Sequence, residues 1–498
     1  MPDLTALRSA PAEAPAGEPF SAVHETHTGV VVLCGARAYK AKKPVVTDFL
    51  DFGTAERRRA ACLRELELNR RLAPDVYLGT ATLTDPDGGP DETLVVMRRM
   101  PERLRLSAVL DDPARPPSPL PALAGMLARF HATARRRAEI DRAGTPERLR
   151  ARWRALLDPL AARSDAVLDP AAVARLDAAA MRFLDGRAPL FTERIAAGRV
   201  VDGHGDLLAQ DIFVLPDGIR ILDCLDFDDR LRFVDALDDV AFLAMDLEFR
   251  GHPGLAAAFL DDYAHAAGDP APPSLRHHYI AYRATVRAKT DLIRHDQGDD
   301  TAAARARRHL GLALDHLDRA TVRLILVGGL PGTGKSTLAA SLARETGAAV
   351  FSSDHTRARL RAAGAITGAA GSYGAGAYSP AAKEAVYTAL LAAARERLER
   401  GEPVILDAAW TDRNQRERAA ALAAATHSDL VTLRCTCPRE LADQRIRART
   451  GGFSEATPAI AAALAADETP WPDAVPVDTA GPIQASLTLA RRAFAGAP

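Results

Sequence analysis

The first hundred residues are predicted to form short strands around one helix. Two apolar runs, 30–34 and 38–45, are separated by the turn residues Gly35-Ala36-Arg37, and this pattern predicts a β-hairpin. Side chains two positions apart share one face of a strand, so Lys40 and Lys42 are expected to project together. Residues 55–72 have helical periodicity and include Glu65, and the apolar run 94–97 predicts a further strand.

Helical periodicity dominates the next two hundred residues. Residues 120–137 predict an amphipathic helix with His131 on its apolar face, where we expect a packed, hydrogen-bonded core residue rather than a ligand. Residues 151–184 continue as helical sequence, and breaks are expected at Pro159 and Pro170 because proline lacks a backbone N–H.

A different pattern begins at residue 324. Four apolar residues, 324–327, precede the sequence GLPGTGKS and a helix-forming run, which is the strand, phosphate loop and helix of a GxxxxGK[ST] motif. The glycines allow backbone N–H groups to surround a β-phosphate, Lys335 is expected to reach the β- and γ-phosphates, and Ser336 to bind Mg²⁺. The alternative is a glycine-rich turn that binds nothing. The predicted nucleotide-binding residues here are Gly329, Leu330, Pro331, Gly332, Thr333, Gly334, Lys335, Ser336 and Thr337.

The rest of the chain repeats strands and helices. Apolar runs at 348–351, 404–407 and 430–434 predict strands separated by helical segments, which favours an α/β domain with a parallel sheet. Asp407 ends one of these strands and is a predicted metal ligand, while 364–377 is rich in Gly, Ala and Ser and is predicted to be a mobile lid.

Composition narrows the possible environment and partners. The 498 residues carry a formal net charge of −1, which gives no reason to expect general nucleic-acid binding or attraction to a membrane surface. Five cysteines, odd in number and mostly within apolar runs, predict reduced core thiols of a cytoplasmic protein. The first residues predict a short disordered tail and no signal peptide, and no apolar run is long enough to span a bilayer. The oligomeric state is not indicated.

Lysine is rare in this chain, whereas arginine is abundant. It occurs only at positions 40, 42, 43, 289, 335 and 383. Where arginine is the default, a lysine suggests a site that needs a compact point charge. The phosphate-loop residue Lys335 fits this interpretation, and the cluster at 40–43 becomes a second candidate.

Acidic residues are concentrated in the segments 202–211 and 223–229. Asp206, Asp211 and Asp223 follow short strands, and their carboxylates would repel one another unless a cation bridges them. A metal-bound triphosphate would supply that cation. The alternative is a solvated acidic turn, against which the apolar strands on both sides indicate partial burial.

The sequence VDGHGDLLAQDIF, 201–213, resembles the catalytic segment of the aminoglycoside phosphotransferase-like kinases, whose pattern is HGDLxxxN followed by an aspartate after a strand. The resemblance implies that Asp206 orients or deprotonates the acceptor hydroxyl, and that Asp223, or its rival Asp226, binds metal. The family's asparagine is replaced by Asp211, which keeps an oxygen ligand for Mg²⁺ but adds a charge. The small lobe resembles that of protein-kinase-like folds, which implies that Lys42, or alternatively Lys40, contacts the α- and β-phosphates and pairs with Glu65.

The C-terminal domain is similar to the P-loop kinases of the polynucleotide-kinase and zeta-toxin type. In those enzymes an aspartate after the second strand faces the acceptor, and lid arginines hold the transferring phosphoryl group. The matching positions are Asp354, Arg357, Asp407, Arg413, Arg445 and Arg449, followed by the loop 450–454. Asp354 has the alternative of being only a helix N-cap.

Together these patterns predict an α+β protein-kinase-like two-lobed domain followed by an α/β P-loop NTPase domain with a parallel sheet. The expected boundaries are a flexible tail at 1–20, a small lobe at about 21–102, a helical large lobe at about 103–318, and the P-loop domain at 319–498. The resemblance implies a phosphotransferase that uses ATP and Mg²⁺ and acts on a small hydroxylated molecule, with two nucleotide sites. The alternative is a nucleotide-sensing regulatory protein that binds ATP without transferring phosphate.

Overall fold

The computed structural model describes residues 13–25, 28–47, 50–112, 118–163, 167–367, 374–449 and 456–496. The start of the predicted tail, residues 368–373 of the predicted lid, and the loop 450–454 lie outside these ranges. By internal contacts the chain divides into two compact units. The first comprises 1–168, 194–271 and 279–313, and the second comprises 169–193, 272–278 and 314–498.

The small lobe of the first unit is a five-stranded antiparallel sheet with one helix. Its strands follow the spatial order β1-β2-β3-β7-β6, and β4 pairs separately with β5. The predicted hairpin is present, since β2 pairs with β3 and the turn is made at Gly35, where φ is +55°. The elements are β1 Ser21–Glu25, β2 Gly29–Cys34, β3 Arg37–Lys42, β4 Val46–Thr47, β5 Leu50–Asp51, α1 Ala55–Asn69, β6 Tyr77–Leu83 and β7 Glu92–Arg98.

Helix α1 begins where its sequence provides a cap. The Thr54 side chain accepts a hydrogen bond from the Arg57 backbone N–H, which satisfies one of the free donors of the first turn. Cys62 and Leu68 are buried on the side of α1 that packs against the sheet, and Glu65 is buried on the same side. A carboxylate in this position needs charged partners, and β3 supplies them.

Residues of the predicted tail are held against the small lobe. The Arg99 guanidinium, which is buried, donates to Glu18 at 2.9 Å, and the Glu102 backbone N–H donates to the other Glu18 oxygen at 2.8 Å. Glu18, within the predicted tail, is therefore part of the packed small lobe.

Helices follow the small lobe, with short hairpins between them. The remaining elements up to residue 320 are α2 Leu106–Asp111, α3 Leu120–Thr133, α4 Ala138–Ala143, α5 Pro146–Ala162, α6 Pro170–Asp185, α7 Ala188–Ala196, β8 Val200–Asp202, β9 Ile212–Leu215, β10 Gly218–Ile221, β11 Phe233–Asp235, α8 Ala236–Phe249, α9 Pro253–Ala267, α10 Pro273–Asp296 and α11 Ala302–Ala320. Strands β8 and β11 pair with each other, as do β9 and β10.

The predicted break at Pro159 is wrong, because α5 continues through it. Proline removes the N–H that would bond to the carbonyl four residues earlier. That carbonyl, on Ala155, instead accepts a hydrogen bond from Lys289 Nζ at 3.0 Å. A distant side chain thus replaces the missing donor. The break at Pro170 is confirmed in that α6 begins there, with Asp169 as its N-cap.

The second unit contains a five-stranded parallel sheet in the order β13-β14-β12-β15-β16. The central strand β12 pairs with both β14 and β15, and its six residues are almost all buried. This confirms the predicted α/β architecture with a parallel sheet. The elements are β12 Arg323–Gly328, α12 Lys335–Thr346, β13 Ala349–Ser352, α13 Ser353–Ala362, α14 Pro380–Glu399, β14 Val404–Asp407, α15 Arg413–Ala425, β15 Asp429–Thr436, α16 Arg439–Arg447, α17 Pro458–Ala466, β16 Val475–Asp478 and α18 Ile483–Ala495.

The second unit also includes two segments from earlier in the chain, 169–193, which contains α6, and 272–278. The predicted boundary at 318/319 assigns both segments to the first domain. Gly186, after α6, lies against the P-loop part of this unit. A Cβ atom there would lie 2.4 Å from the Thr426 carbonyl oxygen, so only glycine allows this approach.

Cysteine positions agree with the predicted reduced thiols. All five cysteines are free. Cys62, Cys224 and Cys435 are buried, and burial raises their thiol pKa values to about 11, about 12 and about 12. Cys34 in the first unit and Cys437 in the second are half-buried.

Within the described ranges, the helices are all too short or too polar to cross a bilayer.

Candidate active sites

In the first unit, one buried carboxylate contacts both strand lysines. Lys40 Nζ lies 2.8 Å from Glu65 Oε1, and Lys42 Nζ lies 2.7 Å from Glu65 Oε2. These are close ion pairs without the alignment of hydrogen bonds. Burial raises the pKa of the Glu65 carboxyl, but the two ammonium groups outweigh burial and hold that pKa below its ordinary value. The lysines therefore project together, as the strand periodicity predicts.

Each lysine also contacts one of the two rival aspartates. Lys40 Nζ lies 2.7 Å from Asp223 Oδ1, and Lys42 Nζ lies 2.7 Å from Asp226 Oδ2. The two pairs differ in exposure. Lys40 and Asp223 side chains are 21% and 55% exposed, whereas Lys42 and Asp226 are 6% and 14% exposed. The Lys40 pair thus faces solvent, and the Lys42 pair is part of the packed interior.

The two aspartates also differ electrostatically. The Lys40 ammonium holds the pKa of Asp223 below its ordinary value, whereas burial raises the pKa of Asp226. Asp223 has a left-handed backbone, with φ of +62°, which is uncommon outside glycine. An ionised, accessible carboxylate in an unusual backbone conformation is typical of a functional position.

The loop that carries Asp206 is held by a buried aspartate of α8. Asp239 Oδ2 accepts the His204 backbone N–H at 2.7 Å, and Asp239 Oδ1 accepts the Gly205 backbone N–H at 2.8 Å. His131 Nε2 lies 3.0 Å from the same carboxylate, and His131 Nδ1 lies 2.8 Å from the Tyr263 hydroxyl. The prediction of His131 as a hydrogen-bonded core residue is confirmed. Burial opposes ionisation of Asp239, yet His131 and the other donors outweigh it and lower its pKa.

The geometry also fixes the tautomer of His204. Its Nε2 lies 3.1 Å from the Leu222 carbonyl oxygen, which can only accept, so Nε2 carries the proton. Its Nδ1 then accepts the Asp206 backbone N–H at 3.3 Å. Burial lowers the pKa of His204 to about 4, and the neutral ring is therefore the form that supports the loop.

Three carboxylates lie near one another at this loop. Burial raises the pKa of Asp206 to about 6. Burial, and then the neighbouring carboxylates of Asp223 and Asp206, raise the pKa of Asp211 well above its ordinary value. Arg105, whose guanidinium donates to the Gln210 carbonyl and lies 4.9 Å from the Phe213 ring, lowers it only in part.

These carboxylates could bind a metal ion only if another molecule supplies further ligands. In the part of the chain that the structure describes, no three His, Cys, Asp or Glu side chains converge to hold a metal ion. Mg²⁺ in kinase sites is bound by one or two carboxylates together with substrate phosphates and water. Asp211 and Asp223 could supply the protein ligands in that arrangement.

Several supporting residues of this site are not evident from the sequence. Asn69 Oδ1 accepts the Cys224 backbone N–H at 2.8 Å, and the Tyr77 hydroxyl accepts the Asp223 backbone N–H at 3.2 Å. Arg71 donates to the carbonyl oxygens of Asp202 and Gly203, just before His204. The only sequence signal for them was the position of Asn69 on the helical face that carries Glu65.

In the second unit, the glycines of the phosphate loop have conformations that side chains would prevent. Gly329 and Gly332 have φ values of +132° and +83°. An added Cβ would lie 2.4 Å from the Cys435 carbonyl oxygen at Gly329 and 2.5 Å from the Ala442 carbonyl oxygen at Gly332. The chain therefore forms a narrow cradle between β12 and α12, as a phosphate-binding loop requires.

The structure places the predicted metal and phosphate ligands of this loop close to one another. Ser336 Oγ donates to Asp407 Oδ2 at 2.6 Å, and Lys335 Nζ donates to the Leu330 carbonyl oxygen at 2.9 Å. Asp407 ends β14 and is buried. Burial raises the pKa of Asp407, and Lys335 opposes that rise. The serine hydroxyl and the strand-end carboxylate are thus already adjacent.

A cavity of about 790 Å³ opens beside the loop and contains most of the other predicted residues. Asp354 lines it and pairs with Arg357, whose Nη1 lies 2.7 Å away and whose guanidinium lies 4.5 Å from the Tyr378 ring. The N-cap of α13 is Ser352, which accepts the Asp354 backbone N–H, so the N-cap alternative for Asp354 is wrong.

The structure places some of the predicted arginines at the cavity and one of them away from it. Arg445 and Arg449 line the cavity, and Arg445 Nη2 donates to the Thr479 carbonyl oxygen at 2.8 Å. Arg413 does not line it. Its side chain is 78% exposed and pairs with Glu417 one helical turn away, so the structure does not bring it to the cavity.

Two buried guanidinium atoms at this cavity fit an anionic ligand. Arg357 Nε and Arg445 Nη1 are buried and have no hydrogen-bond partner among the described residues. Unsatisfied buried donors are costly, and phosphate oxygens would satisfy them. Lys383, which the sequence interpretation did not assign, also lines the cavity, 3.2 Å from Asp412. Its rarity as a lysine was the signal that could have identified it.

Two family models match separate parts of the chain. Residues 45–278 match the model of the phosphotransferase enzyme family, and residues 324–466 match that of an AAA domain. Among solved structures, a choline/ethanolamine kinase family protein from Mesorhizobium loti is 16% identical, covering 61% of this chain and 94% of that one, with a TM-score of 0.35. A gluconokinase from Sinorhizobium meliloti 1021 is 20% identical, covering 35% and 94%, with a TM-score of 0.26.

Relatives from mycobacteria match nearly the whole chain. Uncharacterized protein Rv2004c from Mycobacterium tuberculosis strain H37Rv and Uncharacterized protein Mb2027c from Mycobacterium bovis are each 50% identical over 470 residues, which is 94% of both chains. The chain therefore belongs to the same family as these mycobacterial proteins, and it joins a domain of the phosphotransferase enzyme family to a P-loop domain.

Proposed function

We propose that this protein is an ATP- and Mg²⁺-dependent phosphotransferase that transfers the γ-phosphate to a hydroxyl group of a small molecule, with a second ATP site at the P-loop. The observation that carries the proposal is the Glu65 centre, where one buried carboxylate contacts two lysines and the more exposed of them, Lys40, also contacts Asp223. Such a lysine–glutamate pair next to a metal-binding aspartate is the phosphate-positioning device of protein-kinase-like enzymes.

The lysines have different roles in this proposal. Lys40 is the more exposed and contacts Asp223, so it is suited to bind the α- and β-phosphates. Lys42 is almost fully buried between Glu65 and Asp226 and holds these carboxylates in place. The resemblance suggested Lys42 as the phosphate ligand, whereas this proposal assigns that role to Lys40.

The four aspartates have different roles in the proposal. Asp223 and Asp211 are the proposed metal ligands, and Asp226 supports Lys42. Asp206 orients the acceptor hydroxyl and accepts its proton, because it lies on the loop held by Asp239 and has a pKa of about 6, near the working pH of a general base. Mg²⁺-bound ATP, when present, supplies the phosphoryl group and neutralises the carboxylates.

At the P-loop, the proposal assigns phosphate binding to Lys335 and the loop backbone, and metal binding to Ser336 and Asp407. Asp354 would face an acceptor, and Arg445 with Arg449 would hold the transferring group. The unsatisfied donors at Arg357 and Arg445 support an anion in this cavity.

Release of ADP by the full-length protein, with and without a panel of sugars, aminoglycosides and nucleosides, tests this function. We expect release that depends on one acceptor class. Asp206→Asn and Asp354→Asn then show which site transfers phosphate, because each removes the acceptor-facing carboxylate of one unit only.

A second candidate is a regulatory protein that binds nucleotide without transfer. Asp211 favours it, since an additional carboxylate replaces the asparagine of the resembling kinases. The raised pKa of Asp211 opposes it, because a carboxyl shifted toward its neutral form is closer in charge to asparagine. Nucleotide binding without release of ADP for any acceptor would favour the regulatory function.

A further inference from the structure

A second cavity in the second compact unit lies away from the phosphate loop. Its volume is about 360 Å³, and arginines of α6 and the following turn line it together with residues that precede β12 and residues at the start of β15. The charged and titratable residues of its lining are Arg175, Arg182, Arg187, His427, Asp318 and Asp429. None of them lines the cavity beside the phosphate loop.

Arg187 is the most unusual residue of this lining. It is only 1% exposed, and its Nη1 donates to the carbonyl oxygens of Gly186 and Thr426 at 2.8 and 2.6 Å. Its Nε is buried without a hydrogen-bond partner, and no carboxylate of the described residues pairs with it. Burial lowers its pKa to about 9. Glu399, which is not in contact, and the Phe183 ring, 5.6 Å from the guanidinium, offset the cost of burying this cation only in part, and a bound anion would relieve the rest.

Two more arginines lie on one face of α6. Arg175 and Arg182 are seven positions apart, and Ala178 and Ala179 lie between them and also line the cavity. This spacing places the two arginines and the two alanines on one side of the helix, so the small alanine side chains lie between two cationic side chains. Arg182 pairs with Asp429, and Arg175 is exposed and has no ion pair in the described part of the chain.

We propose that this cavity binds a small molecule through its phosphate group. Guanidinium groups bind phosphate with paired N–H donors, and the three arginines outnumber the two aspartates, one of which is already paired. The volume is at the lower end of the range for small-molecule sites, which suits free phosphate or a small phosphate ester.

The site is separate from the proposed nucleotide site at the phosphate loop. Val322, which lines the cavity, precedes β12, and the phosphate loop follows the other end of that strand. Six residues of parallel strand span roughly 20 Å. A phosphate bound here therefore cannot be the β-phosphate of a nucleotide held by Lys335.

Calorimetric titration of the full-length protein tests the proposal. The protein is first saturated with Mg²⁺ and a non-hydrolysable ATP analogue, which fills the nucleotide sites, and is then titrated with inorganic phosphate or with glucose 6-phosphate. We expect binding of at least one of them, and the comparison distinguishes free phosphate from a phosphate ester. Arg175→Ala and Arg182→Ala should each weaken that binding by about tenfold or more, the loss expected for one charged hydrogen bond.

Arg492→Ala is the matched control, because Arg492 is exposed, has no ion pair among the described residues and lies outside both cavities. It should bind like the wild type. Arg187→Met should also abolish binding, but this buried substitution could unfold the unit, so the exposed Arg175 decides the result. Equal affinity in Arg175→Ala, Arg182→Ala and the wild type would overturn the proposal, as would the absence of binding by both probes.

Discussion

Glu65 connects the two lysines whose roles the sequence left open. Its two oxygens contact Lys40 and Lys42, so both lysines satisfy the expected pairing and only their surroundings separate them. The two lysines differ in exposure, so we expect their substitution to have different effects on stability. A buried charge that loses its partner destabilises a protein far more than an exposed one.

Lys42→Met should therefore mainly lower stability, and Lys40→Met should mainly lower activity. Loss of Lys42 leaves buried Glu65 and Asp226 less compensated, at a cost of about 3 kcal/mol in the free energy of unfolding. Loss of Lys40 should reduce kcat/KM by a factor of about 10² or more, with a smaller change in stability. Thermal unfolding and ADP release measured on both variants check this. The reverse pattern would make Lys42 the phosphate ligand.

Asp206 gives a second expectation at this scale. Its pKa of about 6 means that the base form is reached only as pH rises through that value, so kcat/KM should increase with pH between about 5 and 7. Asp206→Asn should lower the rate by a factor on the order of 10² and remove this pH dependence. Rate–pH profiles of both proteins provide the measurement, and an unchanged acidic limb in the variant would contradict the assignment.

The same shift predicts the effect on stability. Because the folded pKa is raised above the unfolded value, the contribution of Asp206 to stability is complete at low pH and is lost as pH rises through about 6. Asparagine does not ionise. At pH 7.5 the melting temperature of Asp206→Asn should consequently equal or exceed that of the wild type. A lower rate in this variant would then come from loss of the catalytic carboxylate and not from unfolding.

At the scale of elements, the phosphate loop was predictable because its determinants are local. Strand, glycines, lysine and helix follow one another within the segment 323–346, and the structure reproduces that order. Elements that depend on distant partners were harder to predict. Strand β1 is almost entirely exposed and lacks an apolar pattern, and α5 continues through Pro159, where Lys289 of α10 supplies the donor that proline lacks.

Contacts between distant residues also explain which parts of the sites were missed. The Asn69–Cys224 and Tyr77–Asp223 hydrogen bonds join positions roughly 150 residues apart, and no periodicity in either segment specifies them. The proposal of Asp223 over Asp226 as metal ligand likewise depends on the exposure of the two lysines, which the sequence does not give.

The loop glycines allow a test of the element itself. Gly332→Ala should weaken ATP binding at the P-loop by about tenfold or more, because the new Cβ would clash with the Ala442 carbonyl oxygen and shift the backbone that holds phosphate. Gly347→Ala is the control, since φ there is also positive, at +68°, but nothing lies within 4 Å. It should cost about 1 kcal/mol in stability and leave affinity unchanged. Calorimetry on both variants decides, and equal affinities would contradict the role of the loop.

For the whole molecule, the proposed function requires two separate nucleotide sites. One is built from residues between 40 and 226 in the first unit, and the other from residues between 329 and 449 in the second. Titration with a non-hydrolysable ATP analogue and Mg²⁺ should give two sites per chain. Lys335→Ala should remove one, and Asp206→Asn should keep both.

A single site that Lys335→Ala abolishes would show that the first unit does not bind ATP, and the regulatory alternative would then be favoured. A single site that survives in Lys335→Ala would instead place nucleotide binding in the first unit alone.

The distribution of cysteines has a practical consequence at this scale. Three of the five thiols are buried with raised pKa values, whereas Cys34 and Cys437 are half-buried and lie in different units. Thiolate is the form that reacts with maleimides, so these two positions should be labelled preferentially. The natural sequence thus carries one attachment point for a spin label or fluorophore in each unit, and the distance between the labels would report how the units respond to nucleotide.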